Sequence, residues 1–221
     1  MLTLKLRYFL ILSLCSAGLI EPAFSQTRLK IVDQHNDPLP NAVIEYTAKS
    51  SSVKSSAEDP IYIMDQIDKQ FAPHVLIVPE GSLVSFPNSD DIRHHVYSFS
   101  AAKTFELKLY AGKPKSPLRF DKEGVVVMGC NIHDSMVGYI YVAANEHTIM
   151  SDEKGEVSLT QDLPLQTQLK IWHPNSSVGL SKHREFTIDQ AMLNKPEITL
   201  MINIDNPEPR NSFEELNLHE H

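Results

Sequence analysis

The sequence predicts an all-β protein. Its 221 residues include 14 prolines, and a proline inside a helix removes a hydrogen bond and breaks the helix. Apolar residues come in short runs that alternate with polar residues, as in LKIVD and FELKLY, and the runs end at Gly, Pro, Asn or Asp. Short alternating runs between turn residues are typical of strands in sandwiches and barrels.

The first 25 residues have the pattern of an export signal. Lys5 and Arg7 provide a positive start, residues 8–20 are mostly apolar, and residues 23–25 (AFS) form a small-x-small cleavage site. No later run approaches the roughly 20 apolar residues that a membrane helix requires. We therefore expect a periplasmic protein without a membrane span.

The net charge and the lack of a recognisable catalytic motif disfavour several classes of function. Acidic side chains outnumber basic ones by 28 to 20, which gives a formal net charge of −8. An acidic surface disfavours nucleic acids and anionic lipids as partners. No Ser/His/Asp set, phosphate-binding loop or paired-acid site stands out, so we expect no enzymatic activity.

The N-terminal part of the mature chain predicts two strands and a linker. Residues 28–48 alternate apolar and polar side chains on both sides of a turn at Asn36, Asp37 and Pro38. Residues 49–60 are polar and serine-rich without periodicity, which is typical of a linker or a long exposed loop.

Strand patterns are closely spaced from residue 61 to residue 143. The predicted strands lie in 74–88 (two strands joined by a turn at Glu80 and Gly81), 94–100, 103–112, 125–128 and 138–143. Within 103–112 the alternation places Phe105, Leu107 and Leu109 on one face. The run VVVM at 125–128 is apolar on both faces and predicts a central strand that is covered on both sides.

Residues 144–205 follow a different order: a strand, a D-x-x-G turn, a strand, a loop with Leu-Pro, and a strand at 168–174. Together with IVDQHNDPLPNAVI at 31–44, this order resembles the carboxypeptidase regulatory or transthyretin-like β-sandwich. We therefore predict an Ig/transthyretin-like sandwich split between residues 26–48 and 144–205, with 61–143 inserted as a separate domain. A single enlarged sandwich is the alternative. Residues 206–221 are charged and predict a disordered tail.

The only cysteine outside the first 25 residues lies in MGCNIHDSM, residues 128–136. His133 follows Cys130 by three positions, and Met136 follows His133 by three. A lone cysteine in an oxidising compartment is reactive unless it is buried or bound to a metal. The spacing therefore favours a metal site, with a chance coincidence or a small buried cluster as the alternative.

Two segments together resemble the cupredoxins, the blue copper proteins. VSFPN at 84–88, with His94 six residues after Asn88, is similar to the V-x-F-x-N strand and first histidine of that family. The segment from Cys130 to Val142 is similar to its Cys-x-x-His, short gap, Met and G-x-I-x-V pattern, and the gap before Met136 is similar to that of amicyanin. Residues 61–142 also resemble exported methylamine-utilisation and plastocyanin-like proteins.

This resemblance implies a Greek-key β-sandwich that binds one copper ion, as Cu(I) or Cu(II). The implied ligands are His94, Cys130, His133 and the axial Met136. Two imidazoles, one thiolate and a weak thioether are also the donor set that the chemistry of blue copper requires.

Neighbours of the ligands depart from the family pattern. His95 stands where an asparagine usually ties the two ligand loops together, Asn131 stands where Ser or Thr is frequent, and Gly129 stands where an aromatic is common. We expect His95, Asn88 and Asn131 to surround the ligands and to tune them. The adjacent histidines leave the register open: His94 is the predicted ligand and His95 its hydrogen-bonding neighbour, with the reverse as the alternative.

The resemblance implies an electron carrier that passes single electrons between redox partners, such as a c-type cytochrome or a periplasmic dehydrogenase. His133 would be the solvent-facing electron port. Two other functions stay open: a copper-binding module for delivery or sensing, and a structural exported protein with a vestigial copper site.

Overall fold

The computed structural model describes residues 27–47, 60–114, 116–144, 147–159 and 163–205. Regular structure in this part of the chain is almost entirely strand, which confirms the all-β fold class. The predicted export signal (1–25), nearly all of the linker (49–60) and the tail (206–221) lie outside the described residues.

Seventeen strands and one short helix follow each other along the described chain. In order they are β1 (Arg28–Val32), β2 (Val43–Tyr46), β3 (Ile61–Ile63), β4 (Asp65–Ile67), β5 (Gln70–Ala72), β6 (Val75–Pro79), β7 (Ser82–Ser85), β8 (His94–Phe99), β9 (Thr104–Tyr110), β10 (Leu118–Phe120), β11 (Gly124–Cys130), β12 (His133–Ala143), β13 (Thr148–Met150), β14 (Glu156–Ser158), β15 (Gln168–Trp172), β16 (Arg184–Thr187), α1 (Gln190–Leu193) and β17 (Ile198–Met201).

Strands from the two ends of the described chain share two sheets. In one sheet β1 lies between β14, which is antiparallel to it, and β17, which is parallel. The other sheet has the order β13-β2-β15-β16 and is antiparallel throughout. Leu29 and Ile31 from the first sheet and Ile44 and Leu169 from the second are buried in one apolar cluster. The two sheets therefore pack face to face.

Strands from residues 61–143 form the other sheets. A five-stranded sheet has the order β6-β12-β11-β8-β9, a three-stranded sheet has the order β10-β7-β3, and β4 pairs with β5. Val84 of β7 is buried in one cluster with Val126 and Met128 of β11, so these two sheets also share a core. The predicted central strand at 125–128 is confirmed, because β11 is the middle strand of the larger sheet.

A third apolar cluster joins the two sets of sheets. Val43 and Trp172 from the first set pack with Val75, Tyr139, Tyr141 and Ala143 from the second. The Tyr141 hydroxyl donates to the Glu45 carboxylate at 2.9 Å and lies 2.8 Å from Nε2 of His183. An apolar contact and a buried polar contact therefore connect β12 to β2 and β15.

The close fit of β12 against β5 requires a glycine. A Cβ atom at Gly138 would lie 2.7 Å from the Cβ of Phe71, which is closer than side-chain atoms can approach. Phe71 is buried in the core of the 61–143 sheets, so the aromatic ring has little room to move aside.

One prediction of side-chain direction was wrong. Phe105 and Leu107 of β9 pack against the core, but Leu109 is 50% exposed. The β8–β9 register shifts between His94 and Val96, so that Val96 pairs with Leu107 whereas His94 pairs with Tyr110. The shift interrupts the alternation and turns Tyr110, rather than Leu109, inward.

The helix α1 is a single turn. It begins where the Asp189 carboxylate accepts a hydrogen bond from the Met192 amide at 2.8 Å.

Among the described residues, no helix has the length and apolar character needed to cross a membrane.

Candidate metal centre

Three predicted ligands meet at one end of the five-stranded sheet. The ligand atoms of His94, Cys130 and His133 all lie within 4.8 Å of one another. Both imidazoles present Nδ1 to the Cys130 sulfur, at 3.6 Å for His94 and 3.9 Å for His133. Met136 is buried in the same apolar cluster as Cys130.

These separations are close to those of donor atoms that share a metal ion: the His94 distance falls within the range that metal–ligand bond lengths give, and the His133 distance exceeds it by about 0.1 Å. Bonds of the lengths found for zinc, about 2.3 Å to sulfur and about 2.0–2.1 Å to nitrogen, leave the two donors about 3.6–3.8 Å apart when they meet at about 110–120°. The alternative is a hydrogen bond between the thiol and an imidazole. Such a bond needs only one Nδ1 atom near the sulfur, whereas both Nδ1 atoms lie near it here. The donor set therefore suits a metal with one thiolate and two imidazole ligands.

The β11–β12 hairpin brings Cys130, His133 and Met136 together through a break in its register. Gly129 pairs with Val137, but the next residue, Cys130, pairs with His133 instead of Met136. The intervening residues of β12 bulge out of the ladder, as β-bulges do near functional sites. The bulge places His133 opposite Cys130, while Met136 of the same strand lies in the buried apolar cluster that contains Cys130.

Burial separates one predicted ligand from the other three. His94, Cys130 and Met136 are at most 3% exposed, whereas His133 is only partly buried. Water is therefore excluded from most of the site, and the His133 ring is the part of the candidate centre that reaches the surface.

The His94–His95 pair divides between the two faces of β8. His94, Val96 and Ser98 are buried, whereas His95, Tyr97 and Phe99 line a groove of about 550 Å³ on the outside of the sheet. Nε2 of His95 lies 2.9 Å from Glu106 Oε1. In this structure His94, and not His95, faces Cys130.

The tie between the two ligand loops is made by the main chain. The Asn131 amide donates to the His95 carbonyl at 3.1 Å, so the connection does not need the asparagine side chain that the family pattern has at position 95. Asn88 holds its own loop: its side-chain amide donates to the carbonyls of Ile92 and Tyr110 at 2.8 and 2.9 Å.

Asp90 is a neighbour of the site that the sequence did not single out. Its Oδ2 lies 2.6 Å from Nε2 of His94. Burial raises the pKa of the Asp90 carboxyl, but hydrogen bonds from the His94 ring and from the Lys69 and Asp68 amides outweigh burial and lower this pKa below its ordinary value. Asp90 is therefore a carboxylate at neutral pH.

Tyr110 of β9 pairs with His94 in the β8–β9 ladder. Its hydroxyl donates to the Phe86 carbonyl at 2.8 Å and accepts from the Gln66 side-chain amide. Burial raises the pKa of Tyr110 to about 12. The phenol therefore stays neutral and adds no charge near Cys130.

Other histidines of the described chain take structural roles. His173, which is buried, accepts from the Asn175 amide through Nδ1 at 3.1 Å and lies 3.2 Å from the Pro40 carbonyl through Nε2. His74 stacks edge-on against Tyr139. In the described part of the chain, the one set of three metal-ligating side chains within reach of each other is His94, Cys130 and His133.

Cupredoxins are among the solved structures that are similar to part of the chain. A purple cupredoxin from Nitrosopumilus maritimus is 23% identical, with a TM-score of 0.33 over 38% of this chain and 100% of its own. An oxidised amicyanin variant is 16% identical, with a TM-score of 0.35 over 45% of this chain and 98% of its own.

One similar structure is an enzyme. The copper-containing nitrite reductase from Thermus scotoductus SA-01 is 22% identical, with a TM-score of 0.38 over 52% of this chain, which spans only 28% of the reductase. No protein-family model and no curated protein matches the chain. The donor atoms of the site, and not these similar structures, are the basis for assigning a function.

Proposed function

We propose that this protein is a periplasmic type 1 copper protein that carries single electrons between redox partners. The observation that carries the proposal is the buried Cys130 sulfur with two histidine Nδ1 atoms at 3.6 and 3.9 Å. His94, Cys130, His133 and, as the axial residue, Met136 would hold one copper ion. When bound, copper supplies a one-electron couple between Cu(I) and Cu(II).

The surrounding residues suit a ligand set that keeps its arrangement in both oxidation states. His94 and Met136 are fixed by burial, and the β-bulge of the β11–β12 hairpin sets the positions of Cys130 and His133. Soft sulfur donors favour Cu(I) and imidazoles suit Cu(II), so a rigid mixed set is a compromise between them. The partly exposed His133 is the proposed route for electrons to and from a partner.

The cellular location and the redox partners are part of the same proposal. An export signal at 1–25 would place the protein in the periplasm, where a c-type cytochrome or a dehydrogenase could be the partner. Methylamine utilisation is one process that such a partner would suit.

We further propose a cupredoxin domain at 61–143 between the two parts of a second sandwich, 26–48 and 144–205. Sheet membership supports this division, because strands before residue 48 share sheets with strands after residue 147.

Spectroscopy of the copper-loaded chain tests the function. We expect an intense visible thiolate-to-copper band, a copper EPR signal and a reversible one-electron voltammetric wave. Cys130→Ser should remove the band and most of the copper affinity, because the serine hydroxyl is a hard donor that stays protonated. Met128→Leu, a core change on the same strand, is the matched control and should retain the band.

Each other outcome points to a different function. Colourless Cu(I) binding that passes readily to an acceptor would indicate a delivery or sensing module. Absence of tight copper binding would indicate a structural protein with a vestigial site. Turnover of a small substrate by the copper-loaded protein would contradict the expectation that it is not an enzyme.

A further inference from the structure

Asp90 contacts the side of His94 that faces away from Cys130. The imidazole has two ring nitrogens: Nδ1 lies 3.6 Å from Cys130 Sγ, and Nε2 lies 2.6 Å from Asp90 Oδ2. His94 is fully buried and the Asp90 side chain is 10% exposed. The Asp90 carboxylate and the Cys130 thiol thus lie on opposite sides of one buried ring.

The carboxylate is fixed by a part of the fold that carries no ligand. Asp68 and Lys69 form the two-residue turn between β4 and β5, and both have positive φ angles, 53° and 60°. Two such residues make the turn typical of tight hairpins, and here their amides donate to Oδ1 and Oδ2 of Asp90 at 2.6 and 3.0 Å. The Asp90 amide in turn donates to Asn88 Oδ1 at 3.1 Å.

We propose that Asp90 is a positioning residue for the metal centre, which it acts on through His94. This inference rests on the proposed copper function. By accepting a hydrogen bond from the Nε2–H group, Asp90 holds His94 in the tautomer that leaves the Nδ1 lone pair directed at the site. When a histidine ligand donates a hydrogen bond to a carboxylate, its metal-binding nitrogen becomes more basic. A hydrogen bond to a charged acceptor is also about twice as strong as one to a neutral acceptor.

The carboxylate charge has a second consequence. One negative charge beside a ligand stabilises the more positive, oxidised form of a metal more than the reduced form. Asp90 therefore lowers the reduction potential of the site, because it raises the affinity for Cu(II) more than the affinity for Cu(I).

A second carboxylate–histidine pair nearby shows why the effect is specific to Asp90. His95 and Glu106 make a similar contact at 2.9 Å, but Glu106 is 51% exposed and the His95 ring lies on the outer face of the sheet. Glu106 is therefore screened by solvent, and it hydrogen-bonds to a ring that does not face Cys130.

The decisive variant is Asp90→Asn, which removes the charge and keeps the size of the side chain. We expect Cu(II) affinity to fall by about 10- to 100-fold, the usual effect of losing the hydrogen-bonding partner of a ligand, with a smaller loss of Cu(I) affinity. If the Cu(II) affinity falls by ten times as large a factor as the Cu(I) affinity, the reduction potential rises by about 59 mV. Asp91→Asn, the same charge change at the exposed neighbour, is the matched control and should change neither quantity.

A structural role alone would give a different result. If Asp90 only braces the loop, Asp90→Asn lowers the unfolding midpoint of the apoprotein but leaves the potential equal to that of Asp91→Asn, and the proposal is overturned. Equal losses of Cu(I) and Cu(II) affinity would also overturn the charge effect. If the wild-type protein binds no copper, the proposed function fails instead, so the two failures are distinguishable.

A measurement on the wild-type protein covers the case in which Asp90→Asn does not fold. Nitrogen NMR of the imidazole rings in the apoprotein and in the Cu(I) form reports which nitrogen of His94 carries the proton. We expect the proton on Nε2 in both forms, with slow solvent exchange. A proton on Nδ1 in the apoprotein would contradict the assigned role of Asp90.

Discussion

His94→Ala should remove the metal site, whereas His95→Ala should leave it in place. Adjacent residues of a strand point to opposite faces, and in β8 only the His94 ring lies next to the Cys130 sulfur, at 3.6 Å. The His95 ring lines the outer groove and contacts Glu106. The two substitutions remove the same chemical group from positions with different surroundings.

The structure gives the two variants different costs. His94→Ala removes a buried hydrogen bond to the Asp90 carboxylate, worth about 1.5–3 kcal/mol, before any cost of the cavity. His95→Ala removes a partly exposed contact with the Glu106 carboxylate, worth about 0–1 kcal/mol. Loss of a ligand should weaken copper binding by more than the 10- to 100-fold typical of an outer partner, so we expect more than about 100-fold for His94→Ala.

Competition with a chelator gives the copper affinities, the visible spectrum reports the thiolate–copper band, and urea unfolding of the apoproteins gives the stabilities. The result that would refute the reasoning is a blue site that survives in His94→Ala and is lost in His95→Ala. That outcome would shift the ligand by one residue and reverse the faces of β8.

Three other expectations follow from the same structure. Met136→Leu should keep copper but raise the potential, because the oxidised form loses a weak axial donor; voltammetry measures the shift. Gly138→Ala should lower the free energy of unfolding by about 1–3 kcal/mol, since the new Cβ would lie 2.7 Å from Phe71 Cβ; urea unfolding measures this cost. Burial lowers the pKa of His173 below 6.5, so the unfolded chain binds the proton more readily than the folded chain does. The free energy of unfolding should therefore fall as the pH drops below about 6.5. For this one residue the fall is at most about 1.4 kcal/mol per pH unit.

Each of these expectations has a control or a contrary outcome. Complete loss of copper in Met136→Leu would mean that the axial role is misassigned. Gly129→Ala should cost less than Gly138→Ala, because its Cβ would meet the movable end of Tyr97 at 3.0 Å. His173→Gln should reduce the pH dependence without abolishing it, and an unchanged slope would exclude His173 as its source.

The grouping of His94, Cys130 and His133 could be predicted from the sequence because most of the predicted donor set is local. Cys130, His133 and Met136 lie in one short segment, and only His94 has to be brought from another strand. The alternation of β8 also fixes which of the two adjacent histidines turns inward once the buried face is known.

The surroundings of the ligands could not be predicted in the same way. Asp90 and Asp91 are equivalent in the sequence, and the choice between them depends on amides of the β4–β5 turn that reach the site only through tertiary packing. Leu109 was misplaced for a related reason: the β8–β9 register shift leaves no mark in the pattern of apolar residues. Both features depend on contacts between segments, which a one-dimensional pattern does not contain.

The shared sheets of the chain ends have a consequence for the order of folding. Contacts such as that between His173 and Pro40 join residues 133 positions apart, and closing so long a loop of flexible chain is entropically unfavourable. If residues 61–143 fold first, they bring the ends of the loop together and shorten it. We therefore expect pulse-labelled hydrogen exchange to show protection of β11 and β12 before β2 and β15, so that the ligand residues are assembled while the two ends of the chain are still unpaired.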